Sequence, residues 1–207
     1  MKTQQLRSQK TKEKILCAAE KLLLESPFEE LTIPKVLCLC KVSVGGFYGR
    51  FASRDELLEE IYERYRQRRD VRLNQLTKLN NTADIPLKDR VKIVAQGFVD
   101  LHLSEAGILR NFLVNHWLIS GKKPSNKVTQ EISNHISQLS LFIAQQDFPL
   151  PQQHERIQTC IRYLVSLSKD HIVITPSSVA QIKNINRKQL ISDISSMTCA
   201  LIEQIKD

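Results

Sequence analysis

Residues 31–58 read LTIPKVLCLCKVSVGGFYGRFASRDELL. Thr32 is a good N-cap, and Pro34 falls in the first helical turn, where its missing N–H costs little. Val36, Leu37 and Cys40 give that helix one apolar face. It must be short, because Val42-Ser43 offers a second cap at once. Another short helix is expected from about Val44 to Gly49, with Phe47, Tyr48 and Phe51 as anchors. Ser53-Arg54-Asp55-Glu56 then has the form of a capping box. Leu57, Leu58, Ile61 and Tyr65 continue a helix toward about Leu79. Two helices of about two turns each, joined near Lys41-Val42, follow the helix-turn-helix plan. Such helices are unstable alone, so Phe28, Leu31, Val36, Phe47 and Phe51 are expected to form a shared core. The plan lets the second helix enter a major groove of about 12 Å while the first braces the backbone.

Working toward the N-terminus, Ile15, Ala19, Leu22 and Leu23 form a helical stripe from about Thr11 to Glu25, ended by Ser26-Pro27. Before it, residues 1–14 form a basic arm holding Lys2, Arg7, Lys10, Lys12 and Lys14 against Glu13 alone. The chain of 207 residues carries a formal net charge of +8. Arg64, Arg66, Arg68, Arg69 and Arg72 crowd a later helical end against Asp70. Charge placed this way points to nucleic acid or another anionic surface; a solvated tail and a solvated helix face explain it equally well.

Toward the C-terminus, residues 80–86 (NNTADIP) read as a linker. Helices are expected at about Leu87–Leu103, Ile108–Ser120, Asn126–Gln146, Gln153–Val173 and Arg187–Ile205. Glu105-Ala106-Gly107 is expected to bend the chain, and Thr175–Asn186 to form a loop. Only six glycines and seven prolines are present, which argues against a turn-rich β fold. The expected fold is all-α with about nine helices: a DNA-binding segment 1–52, a connecting helix 53–79 and a larger helical domain 80–207. No stretch has the roughly 20 apolar residues of a membrane span, and the polar N-terminus lacks a signal-peptide core. The five cysteines, an odd number, sit mostly among apolar neighbours. A cytoplasmic location is therefore expected. A redox role for Cys38 and Cys40 is disfavoured, since residues two apart on a helix point in different directions. No nucleophile–base pair, phosphate loop or metal-ligand spacing stands out, so no enzyme activity, metal or cofactor is expected.

The stretch from Leu31 to Leu58 resembles the signature of the TetR family of transcriptional regulators. Thr32, Val36, Val42, Ser43, Gly45, Tyr48, Phe51, Ser53 and Asp55-Glu56-Leu57 carry the match, and the likeness extends over about residues 10–65. The resemblance implies that Thr32 and Tyr48 contact phosphates and that Ser43, Val44, Gly45 and Gly46 face the groove. It places Arg50 beside Tyr48 in the position of a usual histidine, and Arg54 in that of a usual lysine at the start of the fourth helix. Lys10 and Lys12 of the arm would track the backbone or a minor groove. Three departures stand out. Cys40-Lys41 replaces a common Ala-Gly, which asks a non-glycine residue for a positive φ or a different turn. Val44 stands where lysine or arginine is common, and Gly49 where arginine is common. The recognition helix is thus short of side chains that bond bases.

TetR-like proteins pair their last two helices with a symmetry mate, so a homodimer on a palindrome is expected. Ile191, Ile194, Thr198, Leu201 and Ile205 repeat every three or four residues, and Ile157, Ile161, Leu164 and Leu167 form a parallel seam. These are the expected dimer contacts, although the two seams could equally pack within one chain. The resemblance also implies a small-molecule effector pocket among the middle helices. Phe98, His102, Phe112, His116, Trp117, Phe142 and Tyr163 are its candidate lining. The expected function is a ligand-responsive regulator of double-stranded DNA, a repressor released by its effector. The alternative is an architectural or protein-interacting helix-turn-helix protein with loose sequence preference.

Overall fold

The computed structural model describes residues 2–25, 31–78, 85–113, 126–176 and 178–205. Among the described residues the chain forms nine α-helices and no strand. They are α1 (Lys2–Glu25), α2 (Ile33–Cys40), α3 (Val44–Tyr48), α4 (Arg54–Thr77), α5 (Leu87–Asn111), α6 (Asn126–Ala144), α7 (Pro151–Lys169), α8 (Val179–Lys183) and α9 (Arg187–Glu203). A π-helical turn, Asp170–Ile174, follows α7 directly. None of these helices is long and apolar enough to cross a membrane.

Three boundaries differ from the sequence reading, each for a local reason. Helix α1 begins at Lys2, so the basic arm is helical; its Arg, Gln, Lys and Leu residues are good helix formers. Helix α5 runs unbroken through Gly107, because a helix tolerates glycine when close packing rewards the missing side chain. The polar loop after residue 175 contains α8, started by Ser178, whose hydroxyl accepts the Gln181 amide at 3.3 Å. Residues 114–120 of the expected Ile108–Ser120 helix lie outside the described residues, as does Phe28.

The chain divides into two compact units. The first comprises Met1–Gln67 and Glu105–Ser120, the second Arg68–Ser104 and Gly121–Asp207. This division falls within α4 and α5. The end of α5 is drawn into the first unit by contacts that no local pattern announces.

In the first unit, Ile15, Ala19 and Leu23 of α1 meet Val36 and Leu37 of α2, with Phe47, Phe51, Leu57, Ile61 and Ile108 in one buried cluster. Full burial of each large side chain contributes about 1.5–3 kcal/mol. Two close contacts seat the end of α5. A Cβ on Gly107 would lie 1.8 Å from the Leu23 carbonyl oxygen. The buried Tyr62 hydroxyl donates to Asn111 Oδ1, and its ring meets Phe112 edge-on at 4.6 Å. Burial raises the Tyr62 pKa, so the phenol stays a donor.

In the second unit, α7 packs against both α6 and α9. Leu139, Ile143, Ile157, Ile161, Leu164, Ile191, Ile194 and Ile202 are buried there. Arg187 grips Asp100 through Nε and Nη2 at 2.5 and 2.7 Å. The buried Arg90 donates to Gln145 Oε1 and Asp147 Oδ2. Gln145 closes α6 in the left-handed region at φ 40°.

Candidate nucleic-acid interface

Helices α2 and α3 are held at their starts by hydroxyl caps. Thr32 has extended backbone, and its Oγ1 accepts the Lys35 amide at 3.4 Å. Ser43 does the same for Gly46 at 3.1 Å. Each cap uses a lone pair, so each hydroxyl keeps its proton to donate to a phosphate oxygen. Between them Lys41 adopts φ 55° and ψ 42° while its amide bonds Leu37 O. The substitution of lysine in the turn thus leaves the turn in place, at the cost of a left-handed non-glycine residue.

Thr32, Ser43, Val44, Gly45 and Tyr48 are exposed. Val44 and Tyr48 are 60% and 54% accessible, large values for apolar and aromatic side chains. Phe47 points inward, its ring edge against Tyr48 at 5.2 Å and tilted on Phe51 at 5.5 Å. The two glycines of α3 serve different ends. A Cβ on Gly46 would sit 2.8 Å from Val42 Cγ1 and 3.1 Å from Ser43 Oγ, so Gly46 is required by packing. A Cβ on Gly45 would meet nothing within 4 Å.

The cations divide sharply. Arg50 donates from Nη1 to Gly46 O at 2.8 Å and from Nε to Ser8 O at 3.2 Å. Arg54 reaches Leu31 O at 3.4 Å. Lys12 pairs with Glu60 at 2.7 Å and stands 5.8 Å from the Phe51 ring centre. Lys10 is exposed. The arginine run of α4 is largely matched by acids and hydroxyls within the chain. Arg64 forks onto both oxygens of Glu13 at 2.9 and 3.0 Å and reaches Glu20 at 3.4 Å. That hydrogen bonding holds the Glu13 carboxyl below its usual pKa. Arg66 pairs with Glu63, Arg69 with Asp70 and Glu131, and Arg72 with Ser104. The run is therefore a set of internal braces. Sequence spacing alone did not reveal them, because most of the partners lie on α1, α5 and α6.

Of the expected effector residues, Phe98, His102 and Phe142 are buried in the second unit. Phe98 and His102 have ring centres 6.1 Å apart, and His102 Nδ1 lies 2.8 Å from Ser168 Oγ. Burial, helped by Lys169, lowers the His102 pKa to about 3, so the imidazole is neutral. Ser168 is the residue that sequence reasoning missed; a serine on an apolar helix face carries little signal until its partner is known. Phe112 belongs to the first unit, where it packs on Tyr62, and Tyr163 is 55% accessible. His116 and Trp117 lie outside the described residues. An open groove of about 350 Å³ in the second unit is lined by Asn74, Thr77, Lys78, Gln138 and Leu141, none of them an expected effector residue.

Most of the expected dimer seam is covered within the chain itself. Ile157, Ile161, Leu164, Ile191, Ile194, Thr198 and Ile205 are buried within the single chain, where α7 packs on α9; Leu167 and Leu201 of the two seams are exposed. A three-four repeat reports a buried face without saying which helix covers it. The large apolar side chains left exposed on these two helices are Tyr163, Leu167, Met197 and Leu201.

Residues 15–61, from the core of α1 into α4, match the family model described as bacterial regulatory proteins, tetR family. Comparison with curated proteins gives no match for the chain.

Proposed function

We propose that the chain, whose residues 15–61 match the family model of bacterial regulatory proteins of the tetR family, is a DNA-binding transcriptional regulator, a repressor that binds a palindromic operator as a homodimer and is released by a small-molecule effector. The observation that carries the reading is the capped α2–turn–α3 unit with Thr32, Ser43, Val44, Gly45 and Tyr48 exposed around it. Backbone contacts from Thr32 and Tyr48 supply register, and Val44 offers a methyl contact to thymine.

The dimer uses the exposed face of α7 and α9. Tyr163 and Leu167 lie one turn apart on α7, and Met197 and Leu201 one turn apart on α9. Four exposed apolar side chains on adjacent helices support this placement over the buried seam. The effector site is proposed around Phe98, His102 and Ser168. A neutral imidazole there recognises an uncharged or weakly polar ligand through a hydrogen bond rather than an ion pair. By linkage, operator and effector must weaken each other equally.

Selection of bound sequences from a random duplex library tests the reading. It expects an enriched palindrome whose affinity falls as salt rises. Failure to enrich any sequence favours the looser architectural reading, which the exposed glycines Gly45 in α3 and Gly49 just after it support.

A further inference from the structure

Helix α3 is five residues long and contains two glycines. A helix so short and so poor in propensity cannot hold its own orientation. Its N-terminal end is capped by Ser43. At the other end, the Gly49 amide bonds Gly45 O, and the amides of Arg50 and Phe51 both bond Phe47 O. These bonds pass over the Gly46 carbonyl, which instead accepts from Arg50 Nη1 at 2.8 Å. The same half-buried guanidinium donates from Nε at 3.2 Å to the carbonyl of Ser8, 42 positions away on α1. Residues 5–10 of α1 are all exposed. A cation at the carbonyl end of a helix is also favoured by the helix dipole.

We propose that Arg50 is the positioning residue of the DNA-reading surface, tying the exposed first turns of α1 to the recognition helix through the carbonyls of Ser8 and Gly46. The planar fork is essential to this role, since its nitrogens are set at a fixed spacing that a single ammonium cannot reproduce. Arg50 thus acts through α1 and α3 rather than by neutralising a phosphate. The brace itself is independent of the proposed operator binding; its effect on DNA recognition rests on that reading.

Two measurements on the full-length protein, with Arg50→Lys and Arg50→Ala, decide the matter. In hydrogen exchange without DNA, the amides of residues 5–10 lose protection at least about fivefold in both variants, while those of Ile15–Leu23 keep theirs. Unchanged protection at residues 5–10 overturns the proposal. In the second measurement, each variant is titrated against a duplex enriched from a random library and against random-sequence duplex. Arg50→Lys, which keeps the charge, loses at least about tenfold affinity for the enriched duplex, while random-sequence binding and its salt slope stay at wild-type values. Wild-type affinity in Arg50→Lys, or a salt slope lowered by about one in Arg50→Ala, overturns the proposal by making Arg50 a phosphate contact. If wild-type protein enriches no sequence, the operator reading fails, and the exchange measurement still decides the brace.

Discussion

The backbone of Gly107 lies so close to Leu23 that a methyl group on Gly107 would stand 1.8 Å from the Leu23 carbonyl oxygen. A contact this short involves backbone on both sides, so neither partner can turn away. It seats the end of α5 against the end of α1 within the first unit.

Gly107→Ala is expected to destabilise the protein by at least about 2 kcal/mol, the cost of forced overpacking. Gly97→Ala is the control. Its Cβ would meet only the tip of Leu76, a side chain that can change rotamer. Urea denaturation of both variants is the check; an equal, small effect of the two would remove Gly107 from this role.

Tyr62→Phe is expected to cost about 1–3 kcal/mol, because it strips the buried Asn111 Oδ1 of its donor. Asn111 Nδ2 already has no partner among the described residues. The unfolding midpoint in urea reads the loss, and a Phe variant as stable as wild type would mean that the hydrogen bond contributes nothing net.

Lys41→Gly should stabilise the free protein, by up to about 1 kcal/mol, since glycine adopts φ 55° without the steric penalty of a Cβ. Thermal denaturation is the measurement. A lowered midpoint would show that the lysine side chain stabilises the turn by more than its backbone strain costs.

Stability should fall with acid between about pH 6.5 and 5, before most carboxylates titrate. His102 has a folded pKa of about 3, below its unfolded value of about 6.5. The unfolded chain therefore binds the extra proton first. The stabilisation is complete above the unfolded pKa and is lost as pH falls toward the folded one, with a slope of at most about 1.4 kcal/mol per pH unit. His102→Gln should flatten that part of the curve; an unchanged slope would assign the pH dependence elsewhere.

Leu201→Glu should yield a folded monomer, whereas Ile161→Glu should prevent folding, because Leu201 is exposed and Ile161 is fully buried within the chain. Sedimentation equilibrium and circular dichroism separate the two outcomes. Wild-type protein that remains monomeric at concentrations on the order of micromolar would remove the proposed interface.

The run from Thr32 to Ile61 in α4 could be read from the chain before any packing was known, because its signals are local. Hydroxyl caps at Thr32, Ser43 and Ser53 and the inward aromatics Phe47 and Phe51 act over three or four residues and follow one another in order. The positive φ at Lys41 is one of the two outcomes that the resemblance left open at this turn. The partners, by contrast, emerged only from the folded chain. The arginines of α4 read as a free basic patch until Glu13, Glu20 and Glu131 came to meet them. The α7 and α9 seams suited a dimer face or each other, and in the folded chain they pack on each other. Arg50 read only as the neighbour of Tyr48, and folding gave its hydrogen bonds to Ser8 and Gly46. The physical reason is the same each time: periodicity and charge state what a side chain needs, and only the packed chain shows which group, 42 or 62 residues away, satisfies it.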